Sequence, residues 1–150
     1  MIELDPELLA REGHGAVQVE LPVTEPLVVM LAGPIKIWWS DSMWGTDAHN
    51  EYTQWRDAVR IACVKVGFLV YSPHRAWQGA WSENAQRVND MAIEAADVLL
   101  DLTPPGIAAD GTLAEITYAQ KIGTPVLQAP PGNSDTLGRI LTALQVIHAS

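Results

Sequence analysis

The chain has 150 residues and a mass of 16.3 kDa, which is the size of one ordinary domain with room for a hydrophobic core. Apolar residues make up 48% of the sequence and charged residues 18%, so a disordered or fibrous protein is excluded. The 9 basic and 18 acidic residues give a formal net charge of -9. This charge disfavours nucleic acid and anionic membranes as partners and favours a small ligand.

The start of the sequence and its cysteine content predict a cytoplasmic protein. The first residues are acidic, whereas a secretory signal needs a basic start followed by an apolar run. The longest apolar stretch, residues 27–32, is far short of a membrane span. The single cysteine, Cys63, can form neither an intrachain disulfide nor a cysteine-based zinc cage.

Short apolar runs alternate with amphipathic stretches along the chain. The apolar runs are typical of buried parallel strands; they span residues 27–32, 68–71, 97–102 and 125–128. The amphipathic stretches predict helices from about residue 50 to 66, along a face formed by Ala85, Val88, Ala92 and Ala95, from 112 to 121, and from 137 to 147.

This alternation predicts a single α/β domain over residues 1–150, a doubly wound, flavodoxin- or Rossmann-like parallel sheet of four to five strands with flanking helices. Residues 1–26 form an N-terminal extension, and the alternation over 17–21 is consistent with an edge strand. Folds of this class bind ligands at the carboxyl ends of their strands. We therefore expect the site in the loops after the four predicted strands.

One acidic residue lies near the start of the third predicted helix. Thr112 is predicted to cap this helix and to place Glu115 in its first turn. The partial positive charge at a helix N-terminus would lower the pKa of the Glu115 carboxyl and keep it ionised. Such a carboxylate can attack an electron-poor carbon such as C1 of a sugar. The alternative is that Thr112 and Glu115 form a capping box without chemistry.

The loop after the first strand begins with Gly33 and Pro34. Gly33 lets a ligand approach the backbone, and Pro34 fixes the direction in which the chain leaves the strand. The segment matches neither the GxGxxG fingerprint nor a Walker loop, so neither a dinucleotide nor ATP is indicated.

Tryptophans are concentrated in two predicted loops. Trp38, Trp39 and Trp44 follow the first strand, and Trp77 and Trp81 follow the second. Large aromatic rings at this edge suit stacking on a nucleobase. The alternative is that they fill a hydrophobic rim or a subunit interface.

The histidines contribute one candidate ligand contact. His74 and Arg75 follow the second strand, where they could meet a ligand hydroxyl and a phosphate or carboxylate, or be solvated. The other histidines form no metal-ligand pattern, so no metal is predicted. A Gly-x-Ser-x-Gly nucleophile elbow is absent from the sequence.

Five segments together resemble the nucleoside 2-deoxyribosyltransferase superfamily. They are VMLAGPI at 29–35, ND at 89–90, AADV at 95–98, GTLAEITYA at 111–119 and GTPV at 123–126. The resemblance implies that Glu115 attacks C1′ of a nucleoside and expels the base. A second base or water then takes the sugar with retention, and no cofactor is needed. The segment YSPHR at 71–75 is also similar to members that hydrolyse pyrimidine nucleoside monophosphates.

The sequence departs from the family at the position of a base-binding acid. The family usually has an Asp four residues before the apolar position held here by Ile93, where this chain has Asn89, with Asp90 next. An amide can bind a base but does not donate a titratable proton as a carboxyl does. On the predicted helix Asn89 flanks the apolar face and Asp90 points away from it, so either residue is a candidate for this role.

A second departure concerns the 5′ end of the substrate. Six residues before Glu115, transferases tend to have Asp and monophosphate hydrolases Ser, whereas this chain has Ala109 followed by Asp110. Asp110 would repel a phosphate and so favours a nucleoside. Lys36 favours a phosphate, because hydrolases often carry Arg at that place.

Three functions follow as hypotheses. The first is a transferase that moves the sugar of a deoxynucleoside to another free base, and the second is a hydrolase of nucleosides or nucleoside monophosphates. The third is a non-catalytic nucleotide-binding module. We also expect a homo-oligomer, because neighbouring subunits complete each site in the family. The predicted catalytic residues are Glu115, Asp90 and Asn89, and the predicted substrate contacts are Gly33, Pro34, Lys36, Trp38, His74, Asp110, Gly111, Thr112 and Asn133.

Overall fold

A computed structural model describes residues 25–39, 42–73 and 83–150, without the side chains of residues 36, 39 and 83–85. The strands in this part of the chain are Val28–Ala32 (β1), Leu69–Tyr71 (β2), Val98–Asp101 (β3) and Val126–Gln128 (β4). The helices are Asp47–Lys65 (α1), Glu83–Ala95 (α2), Asp110–Ile122 (α3) and Ser134–Ala149 (α4), and a 3-10 turn spans Lys36–Trp39.

The four strands form one parallel sheet in the order β2-β1-β3-β4. This confirms the predicted doubly wound α/β fold. The expected edge strand at residues 17–21 lies outside the described residues. Strand order reverses between β1 and β3, and at their carboxyl ends Ala32 is paired with Asp101. In open sheets of this kind the ligand cleft lies at such a switch point.

Helices cover both faces of the sheet, so its central strands β1 and β3 are buried on both sides. One face packs against α1 and α4, through side chains such as Val59 and Leu144. The other packs against α2 and α3, through Ile93 and Ala119. The indole Nε1 of Trp55 donates a 2.8 Å hydrogen bond to the carbonyl oxygen of Ala129. This buried bond joins α1 to the end of β4.

Local chemistry sets several of the helix ends. The Thr46 hydroxyl accepts a hydrogen bond from the backbone N–H of His49 and caps α1, which therefore begins slightly earlier than predicted. Gly123 ends α3 in the left-handed conformation, with φ of 85°. A glycine adopts this conformation without steric cost. The predicted end of this helix is thus confirmed to within one residue.

The buried face of α2 differs from the predicted face of Ala85, Val88, Ala92 and Ala95. Asn89 and Ile93 are the fully buried positions of the described side chains, whereas Val88 is 42% exposed. The prediction was wrong because it assigned the apolar side chains to the core and left the amide at its margin. Asn89 occupies the core face because its amide has polar partners there.

Gly33, just after β1, lies very close to a side chain of another element. A methyl group added to Gly33 would overlap the hydroxyl and ring of Tyr52, which reaches this point from α1. Gly33 is therefore required for close packing.

We expect Gly33→Ala to destabilise the protein by about 1–3 kcal/mol, because the added methyl displaces the Tyr52 ring. The matched control is Gly138→Ala in α4, where an added methyl meets no atom within 4 Å. Alanine is the better helix former, so this control should be stabilised by about 0.5–1 kcal/mol. Urea unfolding measures both changes. Equal free energies of unfolding for Gly33→Ala and the native chain would contradict the expectation.

Candidate functional site

Three side chains from different elements form a hydrogen-bonded row at the carboxyl edge of the sheet. The Asn89 amide in α2 is fully buried, and its Nδ2 donates a 3.1 Å hydrogen bond to Oε1 of Glu115 in α3. The Tyr71 hydroxyl, at the end of β2, donates a 3.3 Å hydrogen bond to Oδ1 of Asn89. Glu115 is 8% exposed, so its side chain is largely removed from water.

Glu115 does not belong to a helix cap. The helix α3 begins at Asp110, with Ala109 in the N-cap position and no side-chain cap. Thr112 is therefore the third helical residue, so the prediction that it caps the helix is wrong, and so is the alternative of a capping box with Glu115. The sequence misled because Ala109 has no capping side chain, whereas Thr112 is a common capping residue. Thr112 and Glu115 instead share the buried face of the helix.

The pKa of Glu115 is raised from 4.5 to about 8, chiefly by burial and to a smaller extent by the negative charges of Asp90 and Asp101. The expectation of a lowered pKa was wrong for a positional reason. The favourable field of a helix N-terminus falls off within the first turn, and Glu115 is the sixth residue of α3. Loss of hydration therefore dominates, and most Glu115 carboxyls are protonated at pH 7.

The two adjacent candidates on α2 have different positions relative to this carboxyl. Asn89 contacts Glu115 directly. Asp90 accepts a 3.0 Å hydrogen bond from Nε2 of Gln86 and acts on Glu115 through its charge. The Asn89 amide is therefore the group in direct contact with the Glu115 carboxyl, and the Asp90 carboxylate acts on it without a hydrogen bond.

Asp101 is a site residue that the sequence reasoning missed. It ends β3, is 6% exposed, and its Oδ1 accepts a 3.0 Å hydrogen bond from the backbone N–H of Thr103. Its charge acts on Glu115 and on Tyr52. The available sign in the sequence was an acidic residue near the carboxyl end of an otherwise apolar strand, where the ligand site was expected. An Asp so placed needs a reason to be buried.

Tyr52 was also missed, because its place in the helical pattern of α1 identified it only as a core residue. Its hydroxyl lies against Gly33. Burial is the main cause that raises the pKa of this phenol; the Arg56 charge opposes the rise, and Glu115 and Asp101 add to it. Tyr52 therefore stays protonated and can donate a hydrogen bond at the site.

Trp38 is buried against the Tyr52 ring. Its ring stacks on Tyr52 with a centroid distance of 5.3 Å and on His49 with the same distance. Only 2% of Trp38 is exposed. The geometry therefore gives it a packing contact with Tyr52, whereas Trp44 is largely exposed and leans on His49 at 4.6 Å.

The remaining predicted contacts are dispersed. Pro34 is buried next to the half-buried Gly33 after β1, and Asp110 and Gly111 are exposed in the first turn of α3. Asn133 caps α4, where its Oδ1 accepts a 3.0 Å hydrogen bond from the backbone N–H of Thr136. The predictions for His74, Trp77, Trp81 and the Lys36 and Trp39 side chains lie outside the described part of the chain.

Two searches of the described residues gave no result. Among residues 25–39, 42–73 and 83–150, no group of three or more His, Cys, Asp or Glu side chains could hold a metal ion. No helix in these ranges is long and apolar enough to cross a membrane.

Two comparisons, with protein-family models and with curated proteins, bear on the identity of the chain. No protein-family model matches the chain, and no curated protein matches it with significant similarity. The assignment of a function therefore depends on the motifs and on the geometry around Glu115.

The raised pKa of Glu115 predicts a pH-dependent stability. Between pH 4.5 and about 8 the folded chain holds a proton that the unfolded chain releases, so stability falls as pH rises through this window. Glu115→Gln removes this dependence while keeping an acceptor for Asn89. At pH 8.5 we expect the variant to be more stable than the native chain by on the order of 2 kcal/mol, or about 4–8 °C in Tm.

Thermal unfolding of both proteins from pH 4.5 to 9 measures the difference. Glu51→Gln is the control, because Glu51 is an exposed carboxylate on α1. It should leave the shape of the pH profile unchanged. Parallel profiles for native chain and Glu115→Gln would contradict a raised pKa.

Proposed function

We propose that this protein is an enzyme that cleaves the N-glycosidic bond of a nucleoside and transfers the sugar, a deoxyribose in the family it resembles, to another base. The observation that carries the proposal is the buried Glu115 carboxyl, held by Asn89, close enough to Asp101 at the carboxyl end of β3 to feel its charge, and not used in a helix cap. The motifs shared with nucleoside 2-deoxyribosyltransferases support the same reaction. The family assignment is part of the proposal.

In this mechanism the Glu115 carboxylate is the nucleophile. Its Oε1 accepts the Asn89 hydrogen bond, and Oε2 has no hydrogen bond from the described residues, so Oε2 is the attacking atom. Oε2 bonds to C1′ while the C1′–N bond breaks. The base leaves with that electron pair and takes a proton from solvent. A nitrogen of a second base then attacks C1′ and its proton passes to solvent, while the Glu115–sugar bond breaks and restores the carboxylate. The two inversions give net retention.

The neighbouring negative charges serve the same step. The sugar develops positive charge in the transition state, and Asp90 and Asp101 are both close enough to act electrostatically on the same carboxyl. Fixed negative groups stabilise such a charge more strongly in a partly enclosed site than in water. The developing cation also lowers the pKa of Glu115, since an opposite charge favours the carboxylate.

The charge pattern favours a nucleoside over a nucleoside monophosphate. Asp90, Asp101 and Glu115 surround the reaction centre, and Asp110 is exposed in the first turn of the same helix as Glu115. A phosphate near this group of carboxylates would be repelled. A hydrolase of nucleosides uses the same first step, with water in place of the second base.

Glu115→Gln should lower turnover by at least about 10³-fold, because an amide is a poor nucleophile. The assay follows deoxynucleosides and their monophosphates by chromatography, with and without a second free base. A new nucleoside that requires both the second base and Glu115 supports a transferase, whereas free base without exchange supports a hydrolase. The control Glu51→Gln should retain full turnover. No product in any mixture would overturn the proposal in favour of a binding module.

The pH dependence distinguishes a nucleophile from a general acid. If the carboxylate is the reactive form, kcat/KM should rise with pH up to about 8 and then level off, because this parameter reports ionisation of the free enzyme. If Glu115 instead donated a proton, kcat/KM would fall through the same range. A profile without an inflection between pH 6 and 9 would contradict both roles.

A further inference from the structure

In the hydrogen-bonded row of Tyr71, Asn89 and Glu115, each bond has a defined donor and acceptor. The Asn89 side chain carries an acceptor, Oδ1, and a donor, Nδ2, at nearly equivalent positions, so its amide fits the same space in two orientations. In the observed orientation the Tyr71 hydroxyl donates to Oδ1, and Nδ2 donates to Glu115. The reversed amide would turn a carbonyl oxygen towards the carboxyl.

The two orientations favour different protonation states of Glu115. An N–H donor stabilises the carboxylate, which is the form the proposed reaction uses, whereas a carbonyl oxygen stabilises only the protonated acid. Whatever fixes the Asn89 amide therefore also sets how easily Glu115 loses its proton.

The position of Tyr71 allows its hydroxyl to hold the Asn89 amide in one orientation. Its ring belongs to β2 and packs against the core shared by α2 and α3, and Tyr71 is paired with Met30 of the buried strand β1. The hydroxyl is therefore positioned both by the pairing of β2 with β1 and by the packing of the ring on this core.

We propose that Tyr71 is a positioning residue that orients the Asn89 amide and so directs an N–H donor at the Glu115 carboxyl. This inference rests on the proposed function for its consequence in catalysis, but the orientation itself can be measured without substrate. In this role Tyr71 acts on the Glu115 carboxyl through the Asn89 amide.

Three ionisable side chains from other elements interact electrostatically with Glu115. Asp90 comes from α2, Asp101 from β3 and Tyr52 from α1. Glu94 of α2 lies on the outer side, where it accepts a 2.6 Å hydrogen bond from the Tyr118 hydroxyl. Strands β1 and β4 contribute no ionisable side chain. The substitution of Tyr71 leaves all of these groups in place.

The test is Tyr71→Phe with Tyr118→Phe as matched control. Each variant removes one hydroxyl that donates to a side chain of α2. The ¹³C chemical shift of the Glu115 carboxyl, followed from pH 4 to 10 in glutamate-labelled protein, gives its pKa directly. We expect Tyr71→Phe to raise the pKa of Glu115 and to lower kcat/KM about 5- to 10-fold at pH 7, with less loss at pH 9. Tyr118→Phe should change neither.

A double-mutant cycle isolates the route through the amide. In an Asn89→Leu background, Tyr71→Phe should have no further effect on the Glu115 pKa, because the group that it orients is gone. An unchanged pKa in Tyr71→Phe, or an equal shift with and without Asn89, overturns the proposal. If the pKa shifts as expected in a chain without glycosidic activity, the positioning role stands and the proposed function alone fails.

A second measurement covers the case in which Tyr71→Phe does not fold. Replacement of Tyr71 by 3-fluorotyrosine keeps the ring and hydroxyl in place but makes the phenol a stronger donor. A stronger hold on Oδ1 polarises the amide and strengthens its N–H donor. The Glu115 pKa should then fall, and a rise or an unchanged value would overturn the inference.

Discussion

The hydrogen bond from the Asn89 amide to the Glu115 carboxyl is the contact on which the arrangement of this domain's site depends. A carboxyl that loses its water is costly unless polar partners replace that water. Because the partner comes from the neighbouring helix, the bond also sets which side of each helix faces the sheet. The buried positions of α2 and α3 therefore follow from a polar requirement as much as from apolar area.

The sheet order supplies the second constraint. The chain leaves β1 and β3 towards opposite faces of the sheet, and folds of this class bind ligands between such strands. Gly33, just after β1, leaves room for the Tyr52 side chain, which comes from the α1 layer. The opposite layer contributes Glu115 and Asn89. The site residues therefore come from the helices on both faces of the sheet.

Much of this architecture could be predicted from the sequence because apolar periodicity reports burial directly. The strands and the helix end at Gly123 followed from local patterns. The errors arose where polar groups are buried. The sequence analysis placed Asn89 beside the apolar face of its helix and treated Asp101 only as part of a strand. The burial of both residues depends on partners that are distant in sequence. The missing cap at Ala109 left Thr112 as the best local start of α3.

The amide at position 89 answers an electrostatic problem in the proposed reaction. Asp90 and Asp101 already oppose ionisation of Glu115. A carboxyl in place of Asn89, as in the family that the chain resembles, would bring another acid within hydrogen-bond distance, and the pair would share one proton. Asn89 gives Glu115 a donor without a charge. The charges of Asp90 and Asp101 have two effects. Together with burial, they favour the protonated form of Glu115 before substrate binds. Once positive charge develops on the sugar, the same charges stabilise it.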